Sequence, residues 1–192
     1  MKKTLPILLA TCSLAFLLLL SFANQKRSDS AKSPDVLSAR TTIISYPTGK
    51  TFVYTSPSLS TGCQTKGGLP DTRCTPGAII TQTTKDEICQ AGYAKSVRNV
   101  SESEKKQAYA EYGIFSHATG EYEVDHLVSL ELGGSNDIAN LWPEAAAPTP
   151  GFHEKDKVEN YLHKMVCNGS ITLVQAQQEI ATDWLQVYQQ MK

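Results

Sequence analysis

The chain has 192 residues, 41% of them hydrophobic, and sets 18 Lys and Arg against 19 Asp and Glu for a formal charge of −1. That balance lacks the basic excess of proteins that grip nucleic acid chiefly through its phosphates, so tight non-specific binding of that kind is disfavoured. The length suits one domain with a core of its own.

Met1-Lys2-Lys3 opens the chain with positive charge, Leu5 to Leu20 is almost wholly apolar, and Ser21-Phe22-Ala23 places small residues three and one before a cut. This is the layout of a secretory signal peptide over residues 1–23, which points to a secreted or periplasmic protein. An uncleaved N-terminal membrane anchor is the alternative, because the apolar run approaches the ~20 residues of a spanning helix. A lipoprotein signal at Cys12 is disfavoured, since the apolar run continues past it and Thr11 is bulky for that position. With residues 1–23 removed, 16 Lys and Arg face 19 acids, a formal charge of −3.

Residues 24–42 are rich in Ser, Lys, Ala and Asp and read as a disordered linker. Residues 43–192 follow as a single domain, without internal repeats. Ile43 to Tyr46 and Thr51 to Thr55 are β-like runs around Pro47-Thr48-Gly49-Lys50, which predicts a hairpin. Residues 56–82 carry many Pro, Gly, Ser and Thr and read as loops. Four cysteines lie beyond the signal, Cys63, Cys74, Cys89 and Cys167, an even number that favours two disulfides in an exported chain. They contain no CxxC pair. Three connectivities are open, and short loop closure favours Cys74–Cys89, leaving Cys63–Cys167 to join the ends.

Ser101 with Glu104 forms a capping box ahead of a helix through Tyr112, stopped by Gly113. Glu121 to Val128 alternates as a strand, with Tyr122, Val124 and His126 on one side and Glu123, Asp125 and Leu127 on the other. A loop through Gly133-Gly134 leads to a short returning strand at Asn140-Leu141-Trp142, and Glu144 to Gly151 reads as a connector. Two helices close the chain. Phe152 to Cys167 carries the stripe Val158, Tyr161, Leu162, Met165 and Val166, with Gly169 as its cap, and Thr172 to Met191 carries Leu173, Ala176, Ile180, Trp184, Val187 and Met191. The expected class is α+β, a small mixed domain stapled by disulfides, with Trp142 and Trp184 in its core. Lys95, Arg98, Lys105 and Lys106 read as ordinary surface charge.

The chemistry sits between Tyr122 and Asn160. Phosphodiester hydrolysis needs a water made nucleophilic near neutral pH, and a neutral imidazole can take its proton. It also needs a cation to offset charge on the phosphate, and carboxylate oxygens hold such cations. The run Asp125-His126-Leu127-Val128-Ser129-Leu130-Glu131-Leu132-Gly133-Gly134-Ser135-Asn136-Asp137-Ile138-Ala139-Asn140-Leu141-Trp142-Pro143-Glu144 resembles the HNH endonuclease signature, closest to small exported bacterial proteins in which it ends in Asn-Leu-Trp-Pro. The likeness extends over about residues 70–188, taking in Cys74 to Ile79, Cys89 to Arg98, Tyr109 to Ile114, Lys155-Asp156, Glu159 and Asp183-Trp184.

The resemblance implies a ββα-metal unit, with His126 as general base, Asp125 as a metal ligand and Asn140 bracing the loop and orienting His126. Mg²⁺ or Mn²⁺ is the implied cofactor, DNA or RNA the implied substrate, and a monomer is expected. The family's second ligand comes early on the helix, where His153, Asp156, Asn160 and His163 share one face. Asp156 is the first choice there, Glu159 and His153 the alternatives. Two other readings stand beside the nuclease: a non-catalytic exported module that keeps the scaffold, and a toxin-like effector delivered to other cells.

Overall fold

The computed structural model describes the strands Thr42–Ser45 and Thr51–Tyr54 and all of residues 55–192. The expected leader over residues 1–23 lies outside the described residues, as does the linker except for Thr42. The chain divides into two units between Val36 and Leu37, and every described residue belongs to the second. No helix among the described residues is long and apolar enough to cross a membrane.

Strand β1 (Thr42–Ser45) pairs antiparallel with β2 (Thr51–Tyr54), Ile43 opposite Val53, the hairpin that the two β-rich runs predict. The next elements are short: α1 (Lys85–Ile88), capped by Thr84, and α2 (Tyr93–Val97). Helix α3 (Glu102–Glu111) starts on the expected capping box, Ser101 Oγ accepting from the Glu104 amide and Glu104 accepting from the Ser101 amide.

The disulfides join Cys63 to Cys74 and Cys89 to Cys167, which corrects the pairing favoured by short loop closure. Asp71 accounts for the first bond. Its side chain accepts from the Gln64 amide and its carbonyl accepts from the Cys74 and Thr75 amides, so the two cysteine segments fold onto one residue. The second follows from α1, which ends against the helix Phe152–Cys167 and sets the two Cα atoms 5.7 Å apart. Two disulfides suit an oxidising compartment.

Strand β3 (Tyr122–His126) pairs antiparallel with β4 (Leu141–Ala145). The returning strand is therefore longer than expected and takes in Pro143, Glu144 and Ala145. Glu123 faces Glu144, and Asp125 faces Trp142. Between the strands the chain makes two 3-10 turns, Leu130–Leu132 and Ile138–Asn140. Gly134 is required where the loop closes, because a Cβ there would lie 1.8 Å from the Val128 carbonyl oxygen. Gly151 is required ahead of α4 for the same reason, a Cβ falling 2.4 Å from the Ala145 oxygen.

Helices α4 (Phe152–Cys167) and α5 (Leu173–Gln190) form the core between them. Val158, Leu162 and Val166 pack with Leu173, Ala176, Ile180, Trp184 and Val187, and with Ile88, Val128 and Leu132. Tyr161, expected in the stripe, stands on its flank and is 39% exposed. The buried line runs instead through Lys155, Val158, Leu162 and Val166, at spacings of 3, 4 and 4. α5 is not one uninterrupted helix: Asp183 leaves helical geometry and its carboxylate accepts from the Gln186 amide, capping the last turns anew. Trp142 and Trp184 are both buried, as expected.

Candidate active site

Asp125 and His126 end β3, and the β3–β4 hairpin is tied to α4 by one side chain, Lys155. Its ammonium donates to Asp125 Oδ2 at 2.6 Å, to the His126 carbonyl oxygen at 2.7 Å, and to Glu159 Oε1. Glu144 Oε2 stands 4.0 Å away. The Lys155 side chain has no exposed surface, whereas those of Asp125 and Glu159 keep 13% each. Burial works against the charge on Lys155, but Asp125, Glu159 and Glu144 outweigh it, so the ammonium stays protonated.

The same cation sorts the carboxyls around it. Burial disfavours the ionised form of Asp125, yet the Lys155 charge and hydrogen bond, aided by Glu144, hold it below the usual carboxylate range. Glu144 goes the other way: burial, reinforced by Asp125 and Glu159 against the pull of Lys155, pushes it up to about 10. As a carboxylate it would have two buried oxygens without a donor. As a neutral acid it has a proton to give to Asp125, and that is the state its surroundings favour. Glu159 is raised to about 7 by burial despite Lys155, and its Oε2 accepts from Ser129 Oγ at 2.8 Å. Glu123, on the Asp125 side of β3, is also pushed to about 7, by burial and then by Asp125 and Asp156.

His126 is 1% exposed. Its Nε2 lies 3.1 Å from Asn136 Oδ1. The Asn136 amide cannot turn round freely, because its Nδ2 donates to the Val97 carbonyl at 2.8 Å and its Oδ1 accepts from the Asn99 amide at 3.2 Å. An acceptor facing Nε2 requires the Nε2–H tautomer, which leaves the lone pair on Nδ1. Burial pushes the imidazole below its usual range, against the opposing effects of Asp125 and Asn136, so the ring is neutral near pH 7.

The expected site residues thus take different places. Asp125 and His126 are adjacent, but Asp125 is bonded to Lys155 rather than to any residue expected as a fellow ligand. Asn140 braces the loop from a wholly buried position: it accepts from the Val128 and Ala78 amides and donates to the Val128 and Ser135 carbonyls. It makes no hydrogen bond to the imidazole, so the orienting role expected of it falls to Asn136. Asp156 is exposed on α4, and its carboxyl is raised by burial and by the charge of Asp125. His153 is exposed one turn nearer the helix start, while His163 bonds the Ile88 carbonyl at the far end of α4, away from this group.

Lys155, Glu144 and Asn136 lie within the resemblance but were given no role by the sequence reading. Lys155 had a signal, since it stands three residues before Val158 and so continues the buried line of α4 with a charge. Glu144 had a weaker one, two residues after Trp142 on a strand read as too short. Asn136 had none.

Among the described residues, one group of His, Cys, Asp and Glu has ligand atoms within 4.8 Å of one another: Cys89, His163 and Cys167. It could hold a metal ion as thiolates, but the two cysteines are joined, and disulfide sulfurs are spent as ligands. Asp125, His126 and Asp156 do not make such a group. Comparison of the chain with family models, with curated proteins and with solved structures gave no match.

Proposed function

We propose that the protein is an exported metal-dependent endonuclease of the HNH type, hydrolysing phosphodiester bonds of DNA or RNA. The observation that carries the reading is the state of His126: a buried neutral imidazole, locked through Nε2 on Asn136, with its Nδ1 lone pair unengaged, directly after an ionised aspartate. That is the form a general base must have to accept a proton from an attacking water. The order strand, loop, strand, helix, joined through Lys155, supports the resemblance noted in the sequence.

Asp125 and Asp156 supply the oxygen atoms a hard divalent cation would take, although the described residues here do not already form a ligand cluster. Asp125 Oδ1 is not used by Lys155, and Asp156 lies on the first turns of α4 with His153 as an alternative. Like charge is crowded here, Glu123 being raised in part by Asp125 and Asp156, and a cation relieves such crowding. Magnesium or manganese, when bound, offsets negative charge gathering on the phosphate and departing oxygen. Arg98, exposed and without an ion pair among the described residues, is near enough to His126, Glu123 and Asp156 for its charge to act on them, and would be the cation to meet a phosphate. Asn140 and Gly134 keep the loop closed behind the imidazole.

The test is incubation of the purified protein with plasmid DNA and with RNA across several divalent metals, beside His126→Ala. The variant should lose roughly 10²–10⁴ in rate, the usual cost of a positioned general base. Circular dichroism and intact disulfides check its fold, because the removed ring is buried. Unchanged turnover in a folded variant rules out the assignment. One observation favours a non-catalytic module on the same scaffold, namely that Lys155 already neutralises Asp125; absence of metal-dependent cleavage in the parent would select that reading.

A further inference from the structure

We propose that Cys89, Cys167 and His163 form a redox-gated zinc site. It is closed while the cysteines are joined. Once a dithiol reductant has opened that bond, the three residues hold one Zn²⁺, which takes over as the link between the end of α1 and α4. The proposal does not depend on the nuclease reading.

Cys89 caps the end of α1, while His163 and Cys167 stand one turn apart on α4 and share a face. Their ligand atoms lie within 4.8 Å of one another, and all three residues are half-buried. His163 Nε2 is 3.5 Å from Cys167 Sγ. Two ligands of one tetrahedral ion stand about that far apart when its bonds are ~2.3 Å to sulfur and ~2.0 Å to nitrogen. Two sulfurs on the same ion stand ~3.8 Å apart. With Cα atoms at 5.7 Å, side-chain rotation reaches that spacing without moving α1 from α4. A second observation comes from the hollow beside the group, lined by Cys89, Tyr93, Lys95, Glu131 and His163 among others. Glu131 Oε2 is buried and has no hydrogen-bond partner among the described residues. A buried acceptor without a donor is costly. Glu131 lies outside the 4.8 Å group, so the fourth ligand is a water from the hollow, and that water can donate to the orphaned oxygen.

The chemistry balances. In exchange with a dithiol the Cys89–Cys167 bond breaks, the protein sulfurs gain two electrons and two protons, and the reductant becomes a disulfide. Zn²⁺ then takes both sulfurs as thiolates and releases the two protons to solvent. Two thiolates cancel the charge of the ion, so the half-buried site stays neutral. His163 Nε2 donates to the Ile88 carbonyl at 3.0 Å while the disulfide is closed. To bind the ion, the neutral ring carries that hydrogen on Nδ1 and gives up the bond to Ile88. Two thiolates and an imidazole suit zinc, whereas magnesium and manganese prefer oxygen. The link that closes 78 residues of chain is kept in either redox state.

The experiment reduces the full protein under argon with a water-soluble phosphine and titrates it with Co²⁺, a spectroscopic stand-in, and then with Zn²⁺. Three variants run beside it: His163→Ala, Cys89→Ser with Cys167→Ser, and Cys63→Ser with Cys74→Ser. The reduced parent should bind one Co²⁺ with sulfur-to-cobalt charge transfer and the strong visible absorption of tetrahedral coordination. One equivalent of Zn²⁺ should bleach both, with the helical circular dichroism kept. The oxidised parent should show neither band. Removing Cys63 and Cys74 should leave the response unchanged, removing Cys89 and Cys167 should abolish it, and His163→Ala should weaken binding roughly tenfold or more. If reduction alone unfolds the chain, Zn²⁺ present during reduction should keep it folded. The proposal is overturned by a reduced parent that binds no Zn²⁺, by a response that follows Cys63 and Cys74 instead, or by parent-like affinity without His163. Metal bound to a chain that has lost its helical signal overturns it too, because unfolded thiols bind zinc without a built site.

Discussion

Replacing Asn140 separates the bracing of the loop from the chemistry of His126. The side chain has no exposed surface and accepts from the Val128 amide at 2.8 Å and the Ala78 amide at 3.3 Å. It donates to the Val128 carbonyl at 2.9 Å and the Ser135 carbonyl at 2.8 Å. Asn140→Ala removes all four bonds. At a net ~0.5–1.5 kcal/mol for each, the loss is roughly 2–6 kcal/mol. That is a large share of the ~5–15 kcal/mol by which a domain is stable.

Asn140→Asp is the sharper probe, since it keeps the shape. One carboxylate oxygen still accepts from Val128 and Ala78, but the other now faces the Val128 and Ser135 carbonyls, where the amide donated. Those acceptor contacts raise the folded pKa of the new carboxyl above its unfolded value of about 3.9. Stability is then fully present below the unfolded pKa and is lost as pH rises through the folded one. Even the acid restores one donation of two. Urea unfolding at pH 4 and pH 7, with disulfides intact, measures both effects. The Ala variant should lie at least about 2 kcal/mol below the parent at each pH, and the Asp variant should fall further below the parent at pH 7 than at pH 4. A cost under about 1 kcal/mol for Ala, or no pH dependence for Asp, refutes the bracing argument.

Glu144→Gln should stabilise the protein increasingly as pH rises. The parent carboxyl, pushed from its ordinary value of 4.5 to about 10, favours folding when protonated and loses that contribution between those values. The gain should exceed about 1.4 kcal/mol at pH 9, the worth of one pKa unit, and vanish below pH 4; urea midpoints across pH decide it. Asn136→Ala should slow cleavage on the order of 10–100-fold without raising the metal requirement, because it frees the imidazole to take either tautomer. Equal rates would show that the Nε2 bond is incidental. The four described cysteines should resist thiol reagents in the native protein. Loop entropy makes the Cys89–Cys167 bond, closing 78 residues, worth about 4.5 kcal/mol and the Cys63–Cys74 bond, closing 11, about 2.8 kcal/mol. Paired Cys→Ser replacements compared by chemical unfolding should show that order, and the reverse would discount the entropic account.

Local rules were enough for much of this chain. The capping box at Ser101, the helix from Phe152 to Cys167, the antiparallel pairing of Thr42–Ser45 with Thr51–Tyr54 and the burial of both tryptophans follow from residue type and period, because each depends on neighbours close in sequence. The loop-bracing role of Asn140, fourteen residues after His126, was what the family resemblance implied. What required the tertiary structure was every relation between distant segments. Cysteine pairing went to Cys63–Cys74 and Cys89–Cys167 because Asp71 and α1 bring those segments together, which loop length cannot express. Asn136 rather than Asn140 meets the imidazole because its amide is turned by Val97 and Asn99, some forty residues earlier in the chain. Lys155 rather than Asp156 reaches Asp125 because the buried line of α4 faces β3 there, and a lone charge on that line finds its partners only across the fold. Sequence named the groups able to do the chemistry; the packing of α4 against the β3–β4 hairpin decided which of them touch.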